Sequence, residues 1–368
     1  MKQLRVTILV LMGFLSTGLL FSCQDNQGAS SNLEKSFLPS SKGKPGEMVL
    51  VIDSNQWNKK GSVGQLLYET VLGKTRGILP QNEPSFTVTQ VQPSGFNNIL
   101  RQARNVLIVT TFDKKNRESK VVNSFFGEGV IKSLLKEEDK YFFIKQDVWA
   151  KDQTVMLFFA KDEATMREIL ANPSKQYYLG EPFHEVETKR LQKTLQKEYD
   201  RNTERYLKEN YKVSIHTMPG FKVAQSDKDF LWLRHPELSF DNNIFFVKFP
   251  YTDEKQFDPD YVLNLRDKLA KQYLYGDPSN QNSFVVTEDK IAPEVRSAKI
   301  NGKQAMEIRG LWKTNNLSMG GPFVGYLFPD NSGANLYYAE GFVFAPGMDK
   351  RELMREMEAE LKTFKDLN

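Results

Sequence analysis

One cysteine and three histidines are all that 368 residues contain of these types. A single thiol, Cys23, forms no intramolecular disulfide and no Cys-based metal site. Of the histidines His184, His216 and His235, only His184 has a neighbour suited to share a metal, Glu187 one helical turn on. The zinc-protease spacing needs a second His where Thr188 stands, and two ligands do not close a site. Phosphate-binding glycine patterns are also incomplete. Gly73-Lys74-Thr75 ends like a P-loop, but Tyr68 occupies the position of its first Gly. Gly127 and Gly129 supply two glycines of a dinucleotide fingerprint, with Lys132 in place of the third and a helical pattern before them. Ser41 and Lys44 have the Ser-x-x-Lys spacing of penicillin-binding enzymes, yet Gly43, Pro45 and Gly46 break the helix this chemistry needs. No Gly-x-Ser-x-Gly elbow occurs, and no local spacing singles out a pair among the 46 acids. No catalytic residue, metal ligand or cofactor is therefore assigned.

The N-terminus is where the sequence speaks most clearly. Lys2 and Arg5 precede an uncharged run, Val6 to Phe21, and then Ser22-Cys23. This charged, apolar and small-residue order is that of a secretory signal. The run has 16 residues and contains Gly13, Ser16, Thr17 and Gly18; a membrane-spanning helix needs about 20. Leu20-Phe21-Ser22-Cys23 resembles the lipobox of bacterial lipoproteins, with Phe21 bulkier than the usual occupant. Residues 1–22 are expected to be removed and Cys23 to carry the lipid. With Lys2 and Arg5 gone, 48 basic residues face 46 acidic ones, a balance of +2 that gives no support for a nucleic-acid partner. A hydrophobic fraction of 40% and an aromatic fraction of 12% indicate a packed core.

Residues 23–37, rich in Ser, Asn, Gln and Gly, read as a flexible tether. An N-terminal domain over 38–180 alternates strand and helix patterns. Met48–Ile52, Phe86–Val91 and Val106–Thr111 read as strands, and Tyr141–Val148 with Thr154–Ala160 as a hairpin. Residues 181–212 are highly charged, with Leu191, Leu195 and Tyr199 spaced by four, and read as one connecting helix. The C-terminal domain, 213–368, is rich in strands. Asp258-Pro259 starts one helix, and Asp349 with Glu352 suggests a capping box for the last. The expected fold class is α+β, in two halves, each a mainly antiparallel sheet flanked by helices. The element order of the C-terminal half resembles the PsbP-like α/β/α sandwich.

Lys189, Lys193, Lys197, Arg201 and Arg205 recur every four residues on the expected connector. Such a stripe could face anionic lipid, but Glu185, Glu198, Asp200 and Glu204 interrupt it, and a solvated mixed face is the preferred reading. The region expected to contact a ligand or partner is Gly310 to Phe323. It presents Trp312, Lys313, Asn315, Asn316 and Met319 around Gly320-Gly321-Pro322, between two long strands. The competing reading is that Trp312 fills the core and the glycines only shape a turn.

Leu38-Pro-Ser-Ser-Lys-Gly-Lys-Pro-Gly46, Leu79-Pro-Gln-Asn-Glu-Pro84, Gly310-Leu-Trp312 and Met319-Gly-Gly-Pro-Phe323 remain. With the lipobox they resemble an uncharacterised lipoprotein family of the Bacteroidota, a DUF4837-like domain of unknown function, from about Leu38 to Phe364. The resemblance implies a cell-envelope location and brings no substrate, catalytic residue or cofactor. The protein is expected to sit in the outer membrane through its N-terminal lipid, on the periplasmic face rather than the cell surface. The expected role is non-catalytic binding or assembly, with an envelope protein or glycan as partner. The alternative is an envelope hydrolase or glycan-processing enzyme whose acids meet only in the fold. Metabolic labelling with a fatty-acid probe should mark the wild type and not Cys23→Ala; equal labelling of both would contradict the anchor.

Overall fold

The alternating apolar pattern of residues 37–368 resolves into two large sheets and one short two-stranded sheet in a computed structural model. It describes these residues except 126, 127, 135, 138, 278 and 279. The expected signal, Cys23 and nearly all of the tether lie outside the described residues. Among those described, no helix is long and apolar enough to cross a membrane.

The first sheet has β1 (Glu47–Val51), β2 (Thr87–Val91), β3 (Asn105–Thr111), β4 (Phe142–Gln146) and β5 (Thr154–Ala160), in the order β2-β1-β3-β5-β4. Here the expected antiparallel sheet is corrected. β1 pairs in parallel with β2 and β3, and β3 in parallel with β5; only β4–β5 is antiparallel. The physical reason lies in the helices. Parallel strands need crossovers, which cover both faces. One face packs α1 (Ser54–Trp57), α2 (Val63–Leu67) and a π-turn at Tyr68–Leu72, through Val63, Leu67 and Leu72. The other packs α3 (Arg117–Ser124) and α4 (Glu128–Leu134) through Val122 and Leu134. β3 and β5 are accordingly buried at every position.

α5 (Glu163–Ala171) is followed by α6 (Pro173–Leu195) and α7 (Arg201–Tyr211). The single connecting helix expected over 181–212 is thus corrected to two. Asp200 accepts hydrogen bonds from the backbone N–H groups of Asn202 and Thr203 and so starts a new helix at Arg201. α6 begins well before Glu181 and runs through Gly180 and Pro182. Burial of Leu179 and Phe183 against the first sheet outweighs the break that Pro182 would impose alone. The basic stripe is divided between the two helices, and Lys189 and Lys193 are paired with Glu185 and Asp152.

The second sheet is antiparallel and has nine strands. They are β7 (Lys222–Asp227), β8 (Phe230–Pro236), β9 (Asp241–Pro250), β10 (Tyr275–Asp277), β11 (Asn280–Thr287), β12 (Glu294–Ile300), β13 (Lys303–Thr314), β14 (Gly320–Pro329) and β15 (Asn335–Phe344). The order is β10-β11-β13-β14-β15-β9-β8-β7, with β12 also on β13. The short strands β6 (Val213–Ser214) and β16 (Lys365–Asp366) pair separately. Period-two alternation sends Phe245, Phe323 and Tyr338 to one face, beneath α8 (Pro259–Tyr273). Phe246, Val324 and Tyr337 go to the other, beneath α7 and α9 (Arg351–Leu361). This half is the expected mainly antiparallel sheet flanked by helices.

Residues Pro39–Asn368 form one compact unit, and α9 packs on both the second sheet and α6. The capping box expected at Asp349 and Glu352 is absent: Lys350 is the N-cap residue and makes no side-chain cap bond. The carboxylate of Glu83, from the other half, instead accepts from Lys350 N–H at 2.9 Å and Arg351 N–H at 2.7 Å. A buried anion here satisfies free N–H groups and opposes the positive end of the helix dipole. Glu83→Ala should therefore cost about 1–2 kcal/mol in urea denaturation, while Asp349→Ala stays within about 0.5 kcal/mol. The reverse ranking would restore the local box.

Candidate functional site

The hairpin of β13 and β14 separates the five residues expected to form a contact site. Trp312 is only 3% exposed. Its ring packs on Phe342 with centroids 5.4 Å apart, and its Nε1 donates to Val343 O at 3.2 Å. Gly321 allows this approach, since a Cβ there would lie 1.9 Å from Val343 O. Lys313 is paired with Glu288 at 3.2 Å and Asp289 at 2.8 Å. Asn315 accepts from Phe284 N–H and donates to Asn282 O, tying the hairpin to β11. Asn316 is exposed and accepts from Ser318, and Met319 packs half-buried against the Trp312 cluster. The geometry gives these residues structural partners and brings them to none of the clefts described next.

A more concave site lies where the two sheets' helices and loops meet. The segment after the π-turn closes on itself: Thr75 Oγ1 donates to Glu83 O and Ser85 Oγ to Lys74 O. It carries Arg76 and Leu79 towards the second sheet, where Leu79 joins the core beneath α9. Gly77, at φ 70°, passes so close to Arg309 that a Cβ would lie 2.8 Å from its Cδ. The Leu79–Pro84 segment singled out in the sequence is thus part of a bridge between the halves.

Six charged groups then alternate across the seam. Glu181 on α6 meets Arg76 at 2.8 Å, and Arg76 meets Glu358 on α9 at 2.7 Å. Glu358 meets Arg309 at 2.7 Å, Arg309 meets Glu307 at 2.7 Å, and Glu307 meets Arg296 at 2.7 Å. Lys362 adds a third cation to Glu358, and Tyr326 donates its hydroxyl to Glu307. Burial opposes the charge of Glu307, yet Arg309 and Arg296 hold its carboxyl down to about 2. Glu358, likewise buried, is held well below the usual range by Arg309 and Arg76. Glu181 behaves oppositely: burial raises its carboxyl, with Arg76 acting against the rise.

The cleft beside this chain has two lobes, of about 160 and 350 Å³. Arg76, Tyr177, Glu181 and Arg296 form the wall they share. The smaller lobe reaches Ser85 and His184; the larger one is also lined by Gln304 and Lys362. Tyr177 is 45% exposed, and the Arg296 guanidinium lies 5.6 Å from its ring centre. His184 is 6% exposed, lies 4.7 Å from the Phe86 ring centre, and its Nδ1 has no hydrogen-bond partner among the described residues. Burial, with Arg76 and Arg355 nearby, keeps its imidazole neutral. Glu187, considered as its metal-sharing neighbour, turns instead to Arg104 and Arg190. Among the described residues no group of three His, Cys, Asp or Glu is placed to hold a metal. No spacing in the sequence marks Arg76, Glu181 or Arg296, because each comes from a different element.

Replacing Arg309 by Met leaves two buried carboxylates without their shared cation. A loss of about 3–5 kcal/mol is expected at neutral pH. A carboxyl held below its unfolded value, about 4.3 for Glu, contributes stability above that value and loses it as pH falls through the folded one. The wild type should therefore weaken from about pH 4.5 towards pH 2 through Glu307 and Glu358. In Arg309→Met, Glu307 keeps only Arg296, and Glu358 only Arg76 and Lys362, so burial is offset less, both carboxyls rise, and acid costs the variant less than the wild type. Urea denaturation at pH 7 and pH 4 should show the gap between the two proteins narrowing; a constant gap would contradict this account.

Comparison with known proteins divides the chain at the turn between α6 and α7. Residues 41–196 match a family described as a domain of unknown function, DUF8532, and residues 200–363 match another, DUF4837. The second family therefore covers the C-terminal half and not, as the turn segments had suggested, nearly the whole mature chain. No curated protein matches. A crystal structure from Bacteroides thetaiotaomicron is 10% identical with a TM-score of 0.23, over 42% of this chain and 45% of that one. This chain thus spans less than half the length of that protein. The Ran-binding protein Mog1p of Saccharomyces cerevisiae is 10% identical over 43% of this chain and 91% of its own, with a TM-score of 0.27. The lipid transfer and protein localization domain of human StarD13 is 13% identical over 44% of this chain and 95% of its own, with a TM-score of 0.18. Likenesses this slight carry no functional argument. Similarity to the DUF4837 family of domains of unknown function thus spans residues 200–363 of the chain.

Proposed function

We propose that the protein is a non-catalytic binding module of the cell envelope, anchored in the outer membrane by a lipid on Cys23, and that its seam cleft takes a glycan. The observation that carries this reading is the shared wall of the cleft. Tyr177 offers a half-exposed ring with Arg296 over it, and Arg76, Glu181 and Arg296 are held in place by ion pairs anchored on the buried Glu358 and Glu307. Sugars present apolar faces edged with hydroxyl groups. An aromatic platform flanked by fixed planar donors and acceptors complements both features. Burial of the supporting pairs supplies preorganisation, so little side-chain freedom is lost on binding.

One observation favours the hydrolase alternative. Glu181 and Glu307 line the same lobe, with one carboxyl raised and the other lowered to about 2. Such divergence marks acid and nucleophile pairs in glycosidases. The surroundings of Glu307 argue against it: Arg296, Arg309 and Tyr326 already donate to its two oxygens. A carboxylate so occupied has no lone pair aimed at a substrate and little basicity. Titration calorimetry of the full chain in detergent with neutral N-acetylglucosamine and mannose oligomers should detect binding. Tyr177→Ala should weaken it at least tenfold, with the oligomers recovered uncleaved. Cleavage abolished by Glu181→Gln would establish the hydrolase instead, and an unchanged Tyr177→Ala would remove the cleft from consideration.

A further inference from the structure

The first sheet contains a second concave site, independent of the seam. β1 and β3 are adjacent and parallel, but the chain leaves them in opposite directions. After β1 it enters α1 and α2 on one face of the sheet; after β3 it enters α3 and α4 on the other. Where neighbouring connections diverge in this way, a crevice opens beyond the carboxyl ends of the strands. Here it measures about 430 Å³. Asp53 and Gln56 reach it from the end of β1, Lys114 and Asn116 from the end of β3, and Glu163 and Arg167 from beyond β5.

The floor of the crevice is built and the rim is loose. Asp53, 8% exposed, accepts from Asn55 N–H at 2.9 Å and from Asn116 Nδ2 at 2.7 Å. Gln56, 6% exposed, donates from Nε2 to Thr111 Oγ1 at 3.3 Å and Glu163 Oε1 at 3.2 Å. These bonds fix the amide. Its Oε1 accepts no hydrogen bond among the described residues, so an acceptor is left for a donor in the crevice. Lys114 is occupied by Glu163 at 3.2 Å. Lys59, Lys60 and Arg167 line the rim and have no ion pair among the described residues. In all, four cations surround two carboxylates.

We propose that this crevice binds an anionic sugar, a pyranose bearing a carboxylate or a phosphate. Its hydroxyl groups donate to Gln56 Oε1 and the Asp53 carboxylate on the floor, and its anionic group meets Lys59, Lys60 and Arg167 at the rim. The Asp53 carboxylate disfavours a bare anion at depth, which is why the charge belongs at the rim and the hydroxyls below. The test uses the full chain in detergent, with glucuronate and glucose 6-phosphate as probes and glucose and inorganic phosphate as their halves. At least one anionic sugar should bind ten times more tightly than either half, and its identity tells a uronate from a phosphorylated source. A Lys59→Gln, Lys60→Gln, Arg167→Gln variant, changed only at exposed side chains, should lose at least tenfold. Shifts of the Gln56 and Asn116 side-chain amide resonances should report the floor. Tyr177→Ala should leave this binding unchanged, which separates it from the seam. Binding of neither probe, equal binding by the triple variant, or phosphate alone binding as tightly as the sugar phosphate would overturn the proposal.

Discussion

Alternating charge across the seam is the constraint on which the rest of the molecule depends. Glu181, Arg76, Glu358, Arg309, Glu307 and Arg296 form an unbroken chain from α6 through α9 to β12 and β13. Taking such groups from water costs several kcal/mol for each ion, and only close opposite charge and complete hydrogen bonding offset it. A chain of this kind contributes less to net stability than to uniqueness: any other docking of the halves would strand a buried charge. Glu83 adds direction by closing the N-terminus of α9 from the far side of the seam.

The same economy of charge recurs inside the second half. On the face under α8, Arg266 is fully buried and meets Glu340 at 2.9 Å, with its guanidinium 4.1 Å from the centre of the Phe323 ring. Each face of the large sheet thus carries one buried arginine–glutamate cluster within an aromatic core. These clusters fix helices α8 and α9 over particular strands, which in turn places the wall of the seam cleft. Side chains held this firmly suit recognition, where fixed geometry improves selectivity. They suit proton transfer poorly, since a group already paired at both oxygens cannot readily exchange a proton.

Much of the fold was legible in the sequence, element by element. The runs Met48–Ile52 and Val106–Thr111 read as strands, and residues 213–368 read as rich in strands. What local pattern did not supply was pairing. An uninterrupted apolar strand is equally at home in either sheet type until its connections are known. Gly180 and Pro182 disfavour a helix locally, yet burial of Leu179 and Phe183 keeps α6 continuous through them. Asp349 and Glu352 had the spacing of a box, but Glu83, 267 residues away in sequence from Lys350, takes free N–H groups at that helix end instead.

By itself, then, the sequence determined what depends on neighbours along the chain: the lipobox-like start and its expected anchor at Cys23, the strands and most helices, the α+β class, and the failure of every short catalytic signature. Tertiary structure decided what depends on neighbours in space. It placed Trp312 in the core, took Arg76, Glu181 and Arg296 from three separate elements to make one wall, and set Asp53, Gln56 and Asn116 around one crevice. Hydrophobic periodicity is a local quantity and survives in one dimension; a binding wall is a meeting of residues whose only common property is position after folding.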